Sequence, residues 1–111
     1  MTCKKRIARA AHEDIAGIRD YIKKDKPAAA DRIAKAIYAS FDFLCGNPYA
    51  GGELANKFGI ESDYRFWVVK PYIVVYKIED GYIGVYRVLD GRSDYLAALN
   101  LLNTPKEDGE E

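Results

Sequence analysis

The sequence predicts an α+β domain in which a helical hairpin lies on a three- to four-stranded antiparallel sheet, with a short helix at the C-terminal end. Three observations predict it. Apolar residues recur at helical spacing through the first half of the chain, the period changes to two from Arg65 onward, and Asp80-Gly81 stands between two strand-like runs. Helices followed by consecutive strands with tight turns describe a layered α+β domain rather than alternating βαβ units.

Residues 4–10, KKRIARA, alternate weakly and read as a basic edge strand, with a helix lead-in as the other reading. Over 12–24, Ile15, Ile18 and Ile22 share one helical face, and Glu13 and Asp14 fall in the first turn, where carboxylates favour the helix dipole. KDKP interrupts this helix. Pro27 takes a first helical position and opens a second helix striped with Ala30, Ile33, Ala34, Ile37, Phe41 and Leu44, which Gly46-Asn47-Pro48 stops. So short a break implies an antiparallel hairpin whose two apolar faces share a partner.

Residues 47–64 are glycine-containing and aperiodic, and read as a long loop with a helical turn around 53–57. The runs RFWVVK (65–70), YIVVYKIE (72–79) and YIGVYRVL (82–89) are rich in β-branched and aromatic residues. A two-residue turn at Asp80-Gly81 sets Ile78 opposite Ile83, Tyr76 opposite Val85 and Val74 opposite Arg87, on the face that meets the helices. Ile73, Val75, Lys77, Gly84, Tyr86 and Val88 take the other face. Ser93-Asp94 starts the terminal helix, which carries Tyr95, Leu96, Leu99 and Leu102. One domain therefore spans 1–103, and TPKEDGEE, 104–111, is an acidic tail without apolar content.

A chain of 111 residues buries about two thirds of its unfolded surface, enough for a single core without staples. Seventeen basic and seventeen acidic side chains cancel, which argues against strong direct nucleic-acid binding while leaving room for a local basic patch. Cys3 and Cys45 have no CxxC spacing and no histidine cluster, so they are expected to be reduced thiols in a cytoplasmic protein, Cys45 on the apolar stripe of its helix. No metal site or cofactor is implied. MTCKKRIARA lacks the apolar run of a signal peptide, and no run reaches membrane-spanning length.

The chemistry turns on VYRVLDGRSDY, 85–95, where a strand runs into Asp90, Gly91, Arg92, Ser93 and Asp94. It reads as a phosphate-gripping nuclease site, a protein-docking edge or a solvated sheet end. Cleaving a phosphodiester requires a base, an acid and fixed cations. The only histidine, His12, starts the first helix, and no residue is assigned as catalytic. Arg87, Arg92 and Tyr95 are the nuclease candidates, but Asp90 and Asp94 bring the local charge near zero. In the structural reading Arg87 pairs with an aspartate that secures the last strand. Arg65 and Trp67 are either an ion-pair partner and a core aromatic or an anchor for a partner segment. The binding candidates are therefore Arg65, Trp67, Arg87, Asp90, Arg92 and Tyr95.

AHEDIAGIRDYI, KPAAADRIAKAI, NPYAGG and the strand run ending in GRSD, taken in this order over about 5–100, resemble the ParE branch of the RelE/ParE superfamily. These are toxins of type II toxin–antitoxin pairs, also called plasmid stabilisation proteins. Arg65, Tyr72, Tyr76, Arg87, Val88, Leu89, Gly91, Arg92 and Asp94 fit the pattern. Asp90 departs from it: the family often has histidine there, and an anionic group replaces one that protonates near neutral pH. Ile73 stands where ribonuclease members tend to place an arginine. The resemblance implies either messenger-RNA cleavage on the ribosome, as in the RelE branch, or poisoning of DNA gyrase, as in the ParE branch, with an antitoxin holding the toxin inactive. The residues favour a ParE-like toxin that binds gyrase and is neutralised by a ParD-like antitoxin in a hetero-oligomer, the antitoxin filling grooves around the hairpin and sheet edge. The alternatives are a ribosome-dependent endoribonuclease and a non-toxic antitoxin-binding relative.

Overall fold

The computed structural model describes residues 3–58 and 62–92. The expected terminal helix from Ser93, Tyr95 within it and the tail at 104–111 lie outside the described residues. The element order is β1 (Lys5–Ile7), α1 (Arg9–Lys23), α2 (Pro27–Gly46), β2 (Gly52–Glu53), α3 (Leu54–Phe58), β3 (Arg65–Val69), β4 (Tyr72–Glu79) and β5 (Tyr82–Asp90).

Helix α1 starts three residues before the expected point. Arg9, Ala10 and Ala11 are good helix formers, and burial of Ala11 favours extending the helix to include them. Glu13 and Asp14 thereby leave the first turn, which contains no acid, and Asp14 is released for the role described below. Helix α2 begins at Pro27 as expected and buries Ala30, Ala34, Ile37, Phe41 and Leu44; Gly46 is its last residue rather than a stop beyond it.

The α+β layering is as the sequence implies, with α1 and α2 on one face of the sheet. The sheet has five strands, in the order β1-β5-β4-β3-β2, where three to four antiparallel ones are expected, and it is mixed, because β1 pairs with β5 in parallel over Lys5–Ile7. Its position between the free edge of β5 and the start of α1 accounts for that pairing. Within the long loop, Gly52 and Glu53 add a short strand on the other side, opposite Phe66 and Arg65. The helical turn expected at 53–57 is α3.

The β4–β5 register begins as predicted, with Ile78 opposite Ile83 and Tyr76 opposite Val85 across a turn where Gly81 has φ 86°. It then shifts. Val75 faces Arg87 and Val74 faces Val88, leaving Tyr86 as the extra residue of a bulge in β5. The expected pairing of Val74 with Arg87 is corrected, as is the outward placement of Val88. The cause is hydrophobic: without the extra residue Arg87 would face the helices, whereas the bulge buries Val88 there with Ile83 and Val85.

The main core joins Ile15, Ile37, Phe41 and Leu44 of the helices to Tyr72, Val74, Tyr76, Ile83, Val85 and Val88 of the sheet. A smaller cluster on the opposite face gathers Leu54, Val75 and Leu89 with Tyr64, Phe66 and Ile73. Cys45 packs against the main core as its stripe position implies. Cys3 and Cys45 are nevertheless not free thiols. The start of β1 and the last turn of α2 meet with their Cα atoms 5.7 Å apart, and the two residues form a disulfide. A bond spanning 42 positions depends on a contact that no local pattern encodes.

Candidate functional site: the ends of the sheet

The loop before β3 is held from below. Tyr76 is fully buried, and its hydroxyl donates to the Pro48 carbonyl at 2.7 Å and accepts from Gly51 N–H at 3.1 Å. Arg65 donates through Nη2 to the carbonyls of Gly51 (2.6 Å) and Tyr49 (3.3 Å), and lies 3.4 Å from the Glu53 carboxylate through Nη1. Its buried Nε has no partner among the described residues. Gly51 is required by close approach, because a methyl there would strike the Phe66 carbonyl and the Tyr76 ring. Arg65 therefore organises the NPYAGG turn, and Tyr49, 73% exposed and 5.3 Å from the Arg65 guanidinium, is the large side chain this turn presents to solvent.

Trp67, two residues on, packs partly buried against the main core with its ring 5.0 Å from that of Phe43. Phe43 of α2, beside Trp67 on the helix side, and Val68, which pairs with Ile73 and points to the open face, are 44% and 51% exposed, so apolar side chains flank the β3 edge on both faces.

Arg87 is closed by α1. Asp14 accepts from Arg87 Nε at 2.7 Å and Nη2 at 2.9 Å, and its Oδ2 also accepts the Val88 N–H at 2.9 Å. Beyond the last rung of β1, this carboxylate satisfies the edge of β5 as a strand would. The Asp14 hydrogen bonds raise the already high pKa of Arg87. At the end of β5, Asp90 accepts from the Arg92 backbone N–H (2.8 Å) and from Nε and Nη2 (3.0 Å each). The side-chain hydrogen bonds from Arg92 hold Asp90 below the usual carboxylate range, against the opposing effect of burial. Tyr72 lies beside this pair, and burial followed by the Asp90 charge raises its phenol.

The candidates thus do not converge. Asp90 and Arg92 bind one another, Arg87 turns to Asp14, Arg65 and Trp67 sit at the start of β3, and Tyr95 lies outside the described residues. His12 is hydrogen-bonded through Nδ1 to Tyr38 Oη at 2.8 Å, on the helical layer. Ile73 packs in the apolar cluster of the open face.

The aspartate expected to pair with Arg87 is Asp14, and several tyrosines take places that no local pattern indicates. Asp14 carried no local sign, because its partner is 73 positions away. Tyr72 and Tyr21 line the same two clefts, where the end of α1 comes near the start of β4. On the open face Tyr86 donates to the Glu79 carboxylate; burial, followed by this hydrogen bond, raises its phenol, and Tyr64 meets Tyr86 edge-on at 5.5 Å. Among the described residues no cluster could hold a metal ion.

The family described as the ParE toxin of type II toxin–antitoxin system, parDE, matches residues 6–95. The chain belongs to that family. It is 31% identical over 75 residues to a protein named toxin RelE2 from Caulobacter vibrioides, covering 68% of this chain and 80% of that one. A structure of the chromosomal ParDE system of P. aeruginosa superposes with a TM-score of 0.66 at 18% identity, covering 79% of this chain and 95% of that one, and so shares the fold. Membership makes the chain the toxin half of a pair and implies an antitoxin protein as its partner. No helix among the described residues is long and apolar enough to cross a membrane.

Proposed function

We propose that this ParE-family toxin acts by binding DNA gyrase and stabilising a cleaved-DNA state, and that a ParD-like antitoxin neutralises it. One observation carries the reading: both arginines at the end of β5 are already bound to carboxylates, Arg87 to Asp14 and Arg92 to Asp90. A phosphate approaching either would have to displace a bidentate partner. The aliphatic Ile73 on the open face and the engagement of His12 with Tyr38 support the same reading. Trp67, Phe43 and Val68 supply apolar area for a partner at the β3 edge, with Arg65 positioning the adjoining loop and Tyr95 following the Asp90–Arg92 turn.

The test incubates the purified chain with gyrase, ATP and supercoiled plasmid. Accumulation of covalently trapped linear DNA is the expected outcome. A second reading, ribosome-dependent endoribonuclease, draws on the likeness to the protein named RelE2. Primer extension on translated transcripts decides between them: codon-linked cuts abolished by Arg87→Ala or Arg92→Ala would overturn the gyrase reading.

A further inference from the structure

The bond between Cys3 and Cys45 is set differently on its two sides. Cys3 is exposed just before β1, whereas Cys45 is half-buried in the last turn of α2 and packs against the main core. Two clefts meet there. One, of about 400 Å³, is lined by both cysteines with Pro48, Ile78 and Ile83; the other, of about 600 Å³, is lined by Cys3 with Lys4, Arg6, Asp80 and Tyr82 but not by Cys45. Their charges are mixed, since Lys4, Lys5 and Arg6 stand against Glu79 and Asp80, and Lys5 is already paired with Asp42 at 2.7 Å. The clefts select by size and not by charge.

A thiolate breaks a disulfide by in-line displacement, approaching along the extension of the S–S bond from beyond the sulfur it attacks. The cleft that Cys3 lines without Cys45 gives room for that approach to Cys3, whereas packing against the core denies it at Cys45. The cleaved state is also provided for. The Lys4 carbonyl lies 3.5 Å from Cys45 Sγ and the Cys45 carbonyl 3.0 Å from Cys3 Sγ, so each released thiol finds an acceptor already in place. The carbonyls that end α2 disfavour negative charge, and Cys45 therefore returns as a neutral thiol. Strand β1 does not depend on the bond alone. Ile83 N–H donates to the Lys4 carbonyl at 3.1 Å, Ala8 N–H donates to the Val85 carbonyl at 2.8 Å, and Lys5 holds Asp42 of α2.

We propose that Cys3 is a covalent modification site, at which a small-molecule thiol exchanges with the Cys3–Cys45 bond in the folded protein. The thiolate attacks Cys3 Sγ, a new S–S bond forms there, and the electron pair of the old bond leaves on Cys45 Sγ, which takes up a proton. The product is a mixed disulfide on Cys3 beside a free Cys45. Because a neutral thiol is a poor nucleophile, Cys45 is slow to expel the adduct. A second thiolate attacks the outer sulfur, releasing the Cys3 thiolate and a small-molecule disulfide, so that two thiols are oxidised as the protein bond is reduced. An exposed disulfide is of the labile kind, and the stability this one contributes then follows the thiol–disulfide balance of the surroundings. The inference does not depend on what the toxin binds.

The test incubates the purified, oxidised full chain with excess glutathione in the absence of oxygen, quenches in acid at intervals and maps the products by peptide mass spectrometry. Glutathionyl groups should lie on Cys3 with Cys45 as the free thiol, in about tenfold excess over the reverse pattern. The rate should stay level in urea below the unfolding transition, because the folded chain presents the site. Equal modification of the two cysteines, or an excess on Cys45, would overturn the proposal. A rate that climbs with urea from the first addition would also overturn it, since exchange would then pass through the unfolded chain. So would the absence of an adduct under conditions that modify the urea-unfolded chain.

Discussion

Asp14 is the residue on which the end of the sheet depends most. Its carboxylate holds a guanidinium and a backbone N–H that would otherwise be left without partners, and both side chains of the pair are less than a third exposed, at 16% and 27%. Asp14→Ala should therefore lower unfolding free energy by about 2–3 kcal/mol, measured by denaturant titration, below the full cost for a completely buried pair because water reaches both groups. Gly51→Ala should be at least as damaging, about 2 kcal/mol or more, because the obstruction is the Phe66 backbone and a buried tyrosine rather than a flexible chain end. Asp90 gives a pH signature. Its folded pKa lies below the ordinary value of 3.8, so its contribution to stability is present above about pH 4 and is lost as pH falls through the depressed value. Asp90→Asn should flatten the acid limb of a plot of melting temperature against pH, by a small amount because Arg92 is 64% exposed.

At the scale of elements, β1 is only three residues long, and its attachment is shared between rungs to β5 and the disulfide. Closing a loop across 42 positions restricts the unfolded chain, so Cys45→Ser should reduce stability by about 2–4 kcal/mol. Reducing agent should bring the parent to the level of the variant and leave the variant unchanged. The bulge in β5 has a related logic. Ile83, Val85 and Val88 are all buried although their spacing is two and then three, and burying all three on one face requires an extra residue between them. That change of spacing was the available sign of the bulge.

For the whole molecule, balanced charge and dispersed cations favour recognition over bond chemistry. If the chain works by binding, Arg92→Ala should weaken its potency in the gyrase assay by no more than about tenfold, the ordinary scale of one partly exposed contact. A transition-state cation of a nuclease would lose about a hundredfold or more. Dose–response titration of trapped DNA distinguishes the two.

The sequence by itself determined the layered α+β class, both long helices, the three long strands, the Asp80-Gly81 turn and the superfamily. These rest on periodicity and local turn chemistry, which act over a few residues and are written in order along the chain. Only the tertiary structure decided that β1 lies parallel to β5, that Cys3 joins Cys45, that Asp14 claims Arg87, and that Arg65 serves the loop preceding it. Each of these is a pairing between distant positions, fixed by which buried donors and charges must find partners once the layers close. The apolar pattern sets the layers, and the need to satisfy their edges then assigns the polar residues.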